Sequence, residues 1–581
     1  MIARVIAPMQ TPPRAVFGLL GLITFFTLAG CGAAETRTGP RTRSIGAARG
    51  MVATVHPRAT EAGLESMRRG GNAVDAAVAA ALTLGVVDGF NSGIGGGCFI
   101  VLRTERGELR AIDGRETAPA LATRDMFLRD GLADPSLSQT GPLAVATPGA
   151  LAAYDLASRE YGRLRLADAL VAAADLAERG FTLDAHYASR LAAQAEKLAK
   201  FEASRDIFLR PDGSPWGQGQ ILRQPDLART YRQIASGGLD FFYRGAFARA
   251  LGQWMIENGG VLRAEDLENY RLVVREPVVS DYRGYTIVGF PPPSSGGVHV
   301  AQILNILENF DLRAMYAEDP ALFTHIVAQA MKLAFADRAH WLGDPAFTEV
   351  PRGLIDDGYA RQLAASIDAQ RVIEVESHGQ PPEDGAFGLA HTTHIAAADA
   401  EGNWVAITAT INTTFGSGVV VPGTGVLLNN EMDDFAAAPG TPNAFGLIGA
   451  QANAIAPGKR PLSSMSPTIV LRQGRPVLTL GAAGGPRIIS QVVLALIHHL
   501  DLKTPLEQAV AAPRFHHQWR PDVLYIEGPL DQSLRAALER RGHRIEVMTS
   551  SGVTQAIGFD SDRNVFIGVC DPRVPGSAAG W

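Results

Sequence analysis

Apolar and polar positions divide the chain into three textures. Near the N-terminus, Arg4 and Arg14 precede an apolar stretch from Ala15 to Ala29. At about fifteen residues it is shorter than the ~20 a spanning helix needs, and its basic flank suits a secretory signal. The segment after it, GAAETRTGPRTRSIGAARG, is small, polar and without apolar periodicity, which predicts a tether over 31–50. From about Pro57, Ala, Leu and Arg recur at helical spacing. AVDAAVAAALTLGVV, within Glu61 to Val87, predicts a helix packed on several faces, and further helical stretches lie near 149–180, 182–203, 225–257 and 319–341. CFIVLRT (98–104) and YTIVGF (285–290) read as short strands. From about His391 alternation takes over in HTTHIAAADA, WVAITATINTT, GVVVPGTGVLLNN and SPTIVLRQGRPVLTLGAAG, followed by one strong helix near Arg487–Leu500. The chain is mixed α/β with a β-rich final third and no internal repeat.

The strands 392–399 and 404–413 flank Ala400-Glu401-Gly402-Asn403 and predict a hairpin. In the second strand Val405, Ile407, Ala409 and Ile411 share one face, and Thr408, Thr410 and Asn412 the other. A three-residue loop 400–402 sets Thr392 opposite Thr410, whereas a loop 401–403 sets it opposite Asn412. A two-residue loop places Thr392 on the apolar face. A polar reaction centre requires the odd loop.

Composition bounds the possibilities. The 581 residues are 46% hydrophobic and 19% charged, with a formal charge of −6 and no dense Lys/Arg run, so a packed core is affordable and nucleic acid is not a partner. Length alone suggests several domains or one unusually large one. Three cysteines cannot form a disulfide framework.

Two glycine clusters bear on chemistry. GIGGGC (93–98) follows a helix and precedes a strand, the wrong order for a dinucleotide site, so a turn or close backbone approach is expected. LTLGAAGGPRIISQVV (478–493) runs strand, glycines, helix, but lacks the Lys-Ser/Thr of a phosphate loop. The N–H groups of Gly484 and Gly485 can serve an oxyanion, or the pair can be a tight turn. There is no GxSxG, HExxH or paired CxxC. His391 and His394, His498-His499 and His516-His517 lack matching carboxylate or cysteine spacing, so no metal site is expected.

TTHIAAADAEGNWVAITATINTTFGSG from Thr392, LLNNEMDDFAAAPGTPNAFG, ANAIAPGKRPLSSMSPTIV, GAAGGPRII and APRFHHQW together resemble the bacterial branch of the γ-glutamyltranspeptidase family. AIDGRETAPA (111–120) and GFPPPSSGGVHVAQILNILENFD (289–311) are similar to its large-subunit landmarks, so the likeness runs from about residue 45 to the C-terminus. The resemblance implies an α/β (α+β) N-terminal-nucleophile hydrolase of four-layer αββα architecture, built from both subunits of a self-cleaved precursor. A threonine hydroxyl needs a base, and a freed α-amine, titrating near 8, supplies one. Cleavage between His391 and Thr392 would create nucleophile and base together. The expected segments are a signal over 1–30, the tether 31–50, a large subunit 51–391 and a small subunit 392–581. Leu28-Ala29-Gly30-Cys31 resembles the lipobox of bacterial lipoproteins, which implies lipidation at Cys31. Gly32 after it, in place of an aspartate, points to the outer membrane and so to the periplasmic side of the envelope.

The resemblance also implies site roles. Arg115 matches the carboxylate-binding arginine, Ser463 and Ser464 the hydroxyl pair on the same carboxylate, and Asn412, Glu431 and Asp434 the groups that hold the α-ammonium. Thr410 matches the neighbour of the nucleophile, and Gly484 and Gly485 the oxyanion pair. A lid over the pocket is expected from 439–460, with Phe445 where several bacterial members have tyrosine. Cys98 and Cys570 are either buried free thiols or a pair across the subunits. The expected activity is γ-glutamyl transfer to water, amino acids or peptides from glutathione and related amides, without cofactor. The alternatives are a glutaryl or β-lactam acylase, which the retained Asp434 disfavours, and an uncleaved envelope binding protein.

Overall fold

Alternation along the predicted strands is what builds the centre of the protein. The structure, a computed structural model, describes residues 43–383, 394–438, 440–548 and 551–581. The signal segment, Cys31, most of the tether and the His391-Thr392 junction lie outside the described residues.

Two seven-stranded sheets carry the fold. The first runs, in spatial order, Ser577–Gly580, Gly50–Thr54, Ile395–Asp399, Trp404–Thr410, Gly97–Arg103, Leu109–Gly114 and Val273–Arg275. The second runs Arg43–Ala47, Val565–Cys570, Val553–Asp560, Arg475–Ala483, Thr468–Arg472, Tyr285–Gly289 and Val278–Tyr282. All pairings in both are antiparallel. Side chains of the two inner faces, among them Phe99, Ala396, Trp404, Ala406, Phe290, Ile469, Ile557 and Phe566, form one apolar cluster between the sheets. The outer face of the first sheet packs Val405, Ile407 and Ala409 under helices, and that of the second packs Leu478, Leu480 and Ala556 likewise. This is the αββα layering, and residues 42–581 form one compact unit.

Local signals explain the helices. Ala73–Val87 is buried at every residue, as its all-round apolar pattern requires, and an Asn72/Asp75 capping box starts it. The long helical stretches are interrupted: 149–180 breaks at Gly162 into Ala150–Tyr161 and Leu166–Arg179. Ala185–Ala199 and Pro320–Trp341 match their predicted ranges closely. Gly296–Leu307, hidden behind PPPSSGG in the sequence, is a fully buried helix. The GIGGGC cluster is structural: a Cβ on Gly96 would collide with the Thr410 carbonyl, so the turn lies directly against the end of the central strand.

Candidate active site

The hairpin sets the floor of the site. Ile395 pairs with Ile407 and Ala398 with Trp404, and the Asp399 N–H donates to the Asn403 carbonyl at 3.0 Å. The loop is therefore Ala400-Glu401-Gly402, with Gly402 at φ +99. This is the odd loop, in the register for which Thr392 was expected opposite Thr410; Thr392 itself lies outside the described residues. Even-numbered positions face the second sheet. Trp404 and Ala406 join the inter-sheet core, while His394, Thr408 and Thr410 make the same face polar at the other end.

That polar end opens into a cavity of about 700 Å³. Thr410, Asn412, Glu431, Asp434, Ser463, Ser464, Gly484 and Gly485 all line it, although they span 76 residues of sequence. The Thr410 hydroxyl accepts the Asn412 N–H at 2.7 Å, bending the chain into the left-handed conformation of Asn412 (φ +75). Asn412 in turn donates to the Asn430 carbonyl at 2.9 Å, which fixes the turn Glu431–Asp434 beside the strand end.

Arg115 is placed differently from a simple wall residue. It leaves the end of strand Leu109–Gly114 fully buried and is not among the residues lining the cavity. Its guanidinium donates to Glu431, to Asp434 at 2.8 Å and to Glu116 at 3.4 Å. Burial pushes the Glu431 and Asp434 carboxyls up to about 8 each, and Glu116 to about 7, against the pull of Arg115. Burial opposes the charge of Arg115, but the three acids hold it protonated above its ordinary value. The groups expected to hold the donor's carboxylate and ammonium are thus hydrogen-bonded to one another.

A second guanidinium, Arg338, does line the cavity. It donates to Ser295 Oγ at 2.9 Å and to Ser464 Oγ at 3.2 Å, and it has no carboxylate partner among the described residues. Burial lowers it to about 10, with Asp434 partly restoring it. Sequence reasoning missed it, yet a signal exists. Arg338 continues the buried helix face of Met331 and Ala334, where a charge needs a reason.

Gly484 and Gly485 follow strand Arg475–Ala483 and precede helix Arg487–Leu496. Their φ values of +139 and +61 lie where side chains are disfavoured, and neither amide donates a hydrogen bond among the described residues. Two adjacent free donors at a helix start are suited to a developing oxyanion. Phe445 of the lid segment packs over them: a Cβ on Gly485 would lie 2.6 Å from its ring. The lid is pinned by Ala444 N–H to Asp433 at 2.9 Å and by Gln518 to the Gly446 carbonyl at 3.0 Å.

His394, for which no metal role was expected, is buried at the inter-sheet end of the hairpin. Burial lowers it to about 3, so it is neutral, and its ring occupies the space left by Gly481 of the other sheet. Among the described residues no group of three or more His, Cys, Asp or Glu side chains is arranged to hold a metal ion. Cys98 and Cys570 are buried and in different sheets, Cys98 on the helix side of the first and Cys570 at the end of strand Val565–Cys570 in the second. No described helix is long and apolar enough to cross a membrane.

Comparison with known proteins follows the same lines. Residues 59–581 match the family model described as Gamma-glutamyltranspeptidase. The chain is 43% identical over 532 residues to the glutathione hydrolase proenzyme of Escherichia coli K12, covering 91% of each. Among solved structures, a cephalosporin acylase from Bacillus halodurans superposes with TM-score 0.83 at 30% identity, over 94% of this chain and 99% of that one. A Helicobacter pylori γ-glutamyltranspeptidase chain matches at TM-score 0.54 and 39% identity, over 55% of this chain and 92% of its own.

Proposed function

The chain belongs to the gamma-glutamyltranspeptidase family, and from that premise we propose that it is a γ-glutamyltransferase and glutathione hydrolase matured by self-cleavage at His391-Thr392. In the precursor, Thr392 Oγ attacks the His391 carbonyl; the resulting ester is hydrolysed, and Thr392 becomes an N-terminus. In turnover, Thr392 Oγ attacks the γ-carbonyl of the donor while its α-amine takes the hydroxyl proton. The N–H groups of Gly484 and Gly485 hold the tetrahedral oxyanion. Collapse expels the amine, which leaves with that proton, and the γ-glutamyl ester passes to water or an acceptor amine. Thr410, fixed beside the strand end, positions the nucleophile.

The observation that carries this reading is that Glu431 and Asp434, both held by the buried Arg115, line the same cavity as the Gly484 and Gly485 amides, which donate no hydrogen bond among the described residues. A donor bearing both an α-ammonium and an α-carboxylate can enter such a hydrogen-bonded cluster and exchange partners. Its ammonium takes Glu431, Asp434 and Asn412, and its carboxylate takes Arg115, Ser463 and Ser464, with Arg338 alongside. A ligand lacking either charge leaves a buried group unpaired, which costs several kcal/mol, roughly 3–5. That favours γ-glutamyl over glutaryl amides and so favours this activity over the acylase alternative.

The N-terminal features fit an envelope protein that keeps its catalytic body beside a membrane. A signal over 1–30, lipidation at Cys31 and the tether to residue 50 would hold it on the periplasmic side, at the outer membrane. One preparation tests the whole scheme. Protein purified from membranes should run as two bands on a denaturing gel and release p-nitroaniline from γ-glutamyl-p-nitroanilide. Thr392→Ala should stay full-length and inactive. A wild-type protein that stays in one full-length band and is inert refutes the reading in favour of an uncleaved binding protein.

A further inference from the structure

The lid over the oxyanion pair is anchored from the helix that begins beside it. Among the described residues, the stretch 444–446 bonds outside the lid at two places: the Ala444 N–H to Asp433, and the Phe445 and Gly446 carbonyls to Gln518. The N–H groups of Phe445 and Leu447 turn inward to Asn443 of the lid itself. The Phe445 ring has no polar atom, so those two anchors and apolar packing set where it lies over Gly485. Gln518, the second anchor, is itself held. His516 Nε2 meets Gln518 Oε1 at 3.0 Å, and His516 Nδ1 meets Ser490 Oγ at 2.6 Å. Ser490 lies one turn into helix Arg487–Leu496, whose start follows Gly484 and Gly485.

The direction of this row of bonds follows from its lid end. One terminal atom of Gln518 faces the carbonyls of Gly446 at 3.0 Å, Phe445 at 3.4 Å and Arg520 at 3.5 Å, so that atom is the amide nitrogen. The oxygen is left for His516 and can only accept, so the ring proton sits on Nε2. Burial lowers His516 to about 3, so the ring is neutral and Nδ1 is bare. Ser490 then donates its hydroxyl to Nδ1. Every donor in the row points toward the lid, and in such a row each bond polarises the next. Ser490, His516 and Gln518 are 2%, 1% and 7% exposed, so bulk water does not compete for these bonds. The ring is fixed as well: Phe335 packs edge-on against it at 5.3 Å, and its strand pairs with Leu524–Glu527.

We propose that Ser490, His516 and Gln518 form a latch in which His516 is a positioning residue: it carries the hold of the oxyanion helix to the lid backbone and so keeps Phe445 over Gly485. The lid and the oxyanion pair are then referred to one rigid element, and a lid that leaves its seat must break the row at Gly446. With the latch made, the two amides meet the developing oxyanion in a dry site, where their bonds are stronger than in water. That consequence for turnover rests on the γ-glutamyl-transfer reading; the hold on the lid does not.

The test is limited proteolysis by chymotrypsin, which cuts after Phe445 only when the lid leaves its seat, with the fragments read by mass. Where opening is fast, the cut tracks the open population. Losing one hydrogen bond from the row should raise that population about three- to tenfold. Ser490→Ala should speed the cut by that factor, while Ser490→Thr, which keeps the hydroxyl, should stay within about twofold of wild type. Gln518→Glu, which sets a carboxylate against the lid carbonyls, should speed it by more than about tenfold. Thermal melts report that each variant has folded, and cuts elsewhere in the chain should not accelerate. With γ-glutamyl-p-nitroanilide, Gln518→Glu should lower kcat about tenfold and leave KM within about twofold, because Ser463, Ser464, Glu431 and Asp434 are untouched. A lid cut unchanged in both Ser490→Ala and Gln518→Glu, or accelerated equally at every site, overturns the latch. A change in KM alone overturns its effect on the oxyanion pair. A wild type that releases no p-nitroaniline overturns the γ-glutamyl reading, and lid cutting then still decides the latch.

Discussion

Replacing Asp434 by asparagine isolates what the buried cluster does for the substrate. The side chain keeps its volume and loses its charge. In the empty enzyme Arg115 retains Glu431 and Glu116, so the fold should survive. With donor bound, the ammonium loses one of its two acids. Removing one partner of a buried charge pair costs about 3–5 kcal/mol. Part of that is never realised at pH 7, because a carboxyl at about 8 must first be ionised, at about 1.4 kcal/mol per pH unit. The remainder, about 2–3 kcal/mol, is roughly a 30–150-fold fall in kcat/KM. The assay compares γ-glutamyl-p-nitroanilide with glutaryl-p-nitroanilide, which differ only in the α-ammonium. The first should fall by that factor and the second should stay within about threefold, with thermal melts confirming the fold. Equal losses on both substrates would refute the charge-exchange argument and make Asp434 a purely structural residue.

Three further outcomes are expected. Glu431 and Asp434 are raised above the usual carboxylate range, so the empty site favours their neutral forms below about pH 8 and their ionised forms above it. The ammonium of L-glutamate should therefore bind better as pH rises: its inhibition constant should fall several-fold between pH 6.5 and 8.5, and a flat profile counts against the cluster. The same raised values make the cluster's stability contribution greatest at low pH and progressively lost as pH climbs through 8. Gly485→Ala forces a Cβ at φ +61 against the Phe445 ring, and should lower kcat about 10²–10³-fold, as loss of one oxyanion donor does; a variant within threefold of wild type would remove Gly485 from the oxyanion site. Cys98 and Cys570 should resist a thiol reagent in the native protein and both react after denaturation without reductant, whereas a disulfide would give no reaction in either state.

Much of the site was legible because its residues fall in long contiguous motifs. The hairpin is the clearest case: the strict alternation of Val405, Ile407 and Ala409 against Thr408 and Thr410 leaves only odd loops compatible with a polar centre, and the Asp399–Asn403 pairing is one of them. What the sequence concealed are relations between distant segments. Nothing local shows that Arg115 spends its charge on Glu431 and Asp434, since those acids are more than three hundred residues away. Arg338 lies in the helix predicted at 319–341, and only the fold shows that helix buried along nearly its whole length. Gly296–Leu307 was obscured because its Pro-Ser-Gly approach reads as a loop, whereas Gly296 and Gly297 are there to let the helix start touch Met465 and Phe290.

The strand order of the first sheet has a consequence for the lifetime of a cut chain. Gly50–Thr54 lies between Ser577–Gly580 and Ile395–Asp399, and Gly97–Arg103 lies against Trp404–Thr410, so segments from the two sides of residue 391 alternate within one hydrogen-bonded ladder. Before cleavage this ladder assembles as a single molecule, at a rate independent of concentration. After cleavage the forward route is closed: once separated, the pieces must find each other by a bimolecular encounter. The mature form is then kept by the height of its unfolding barrier rather than by a reversible balance, and its durability is measured in half-lives. Self-cleavage would turn an equilibrium fold into a one-way assembly.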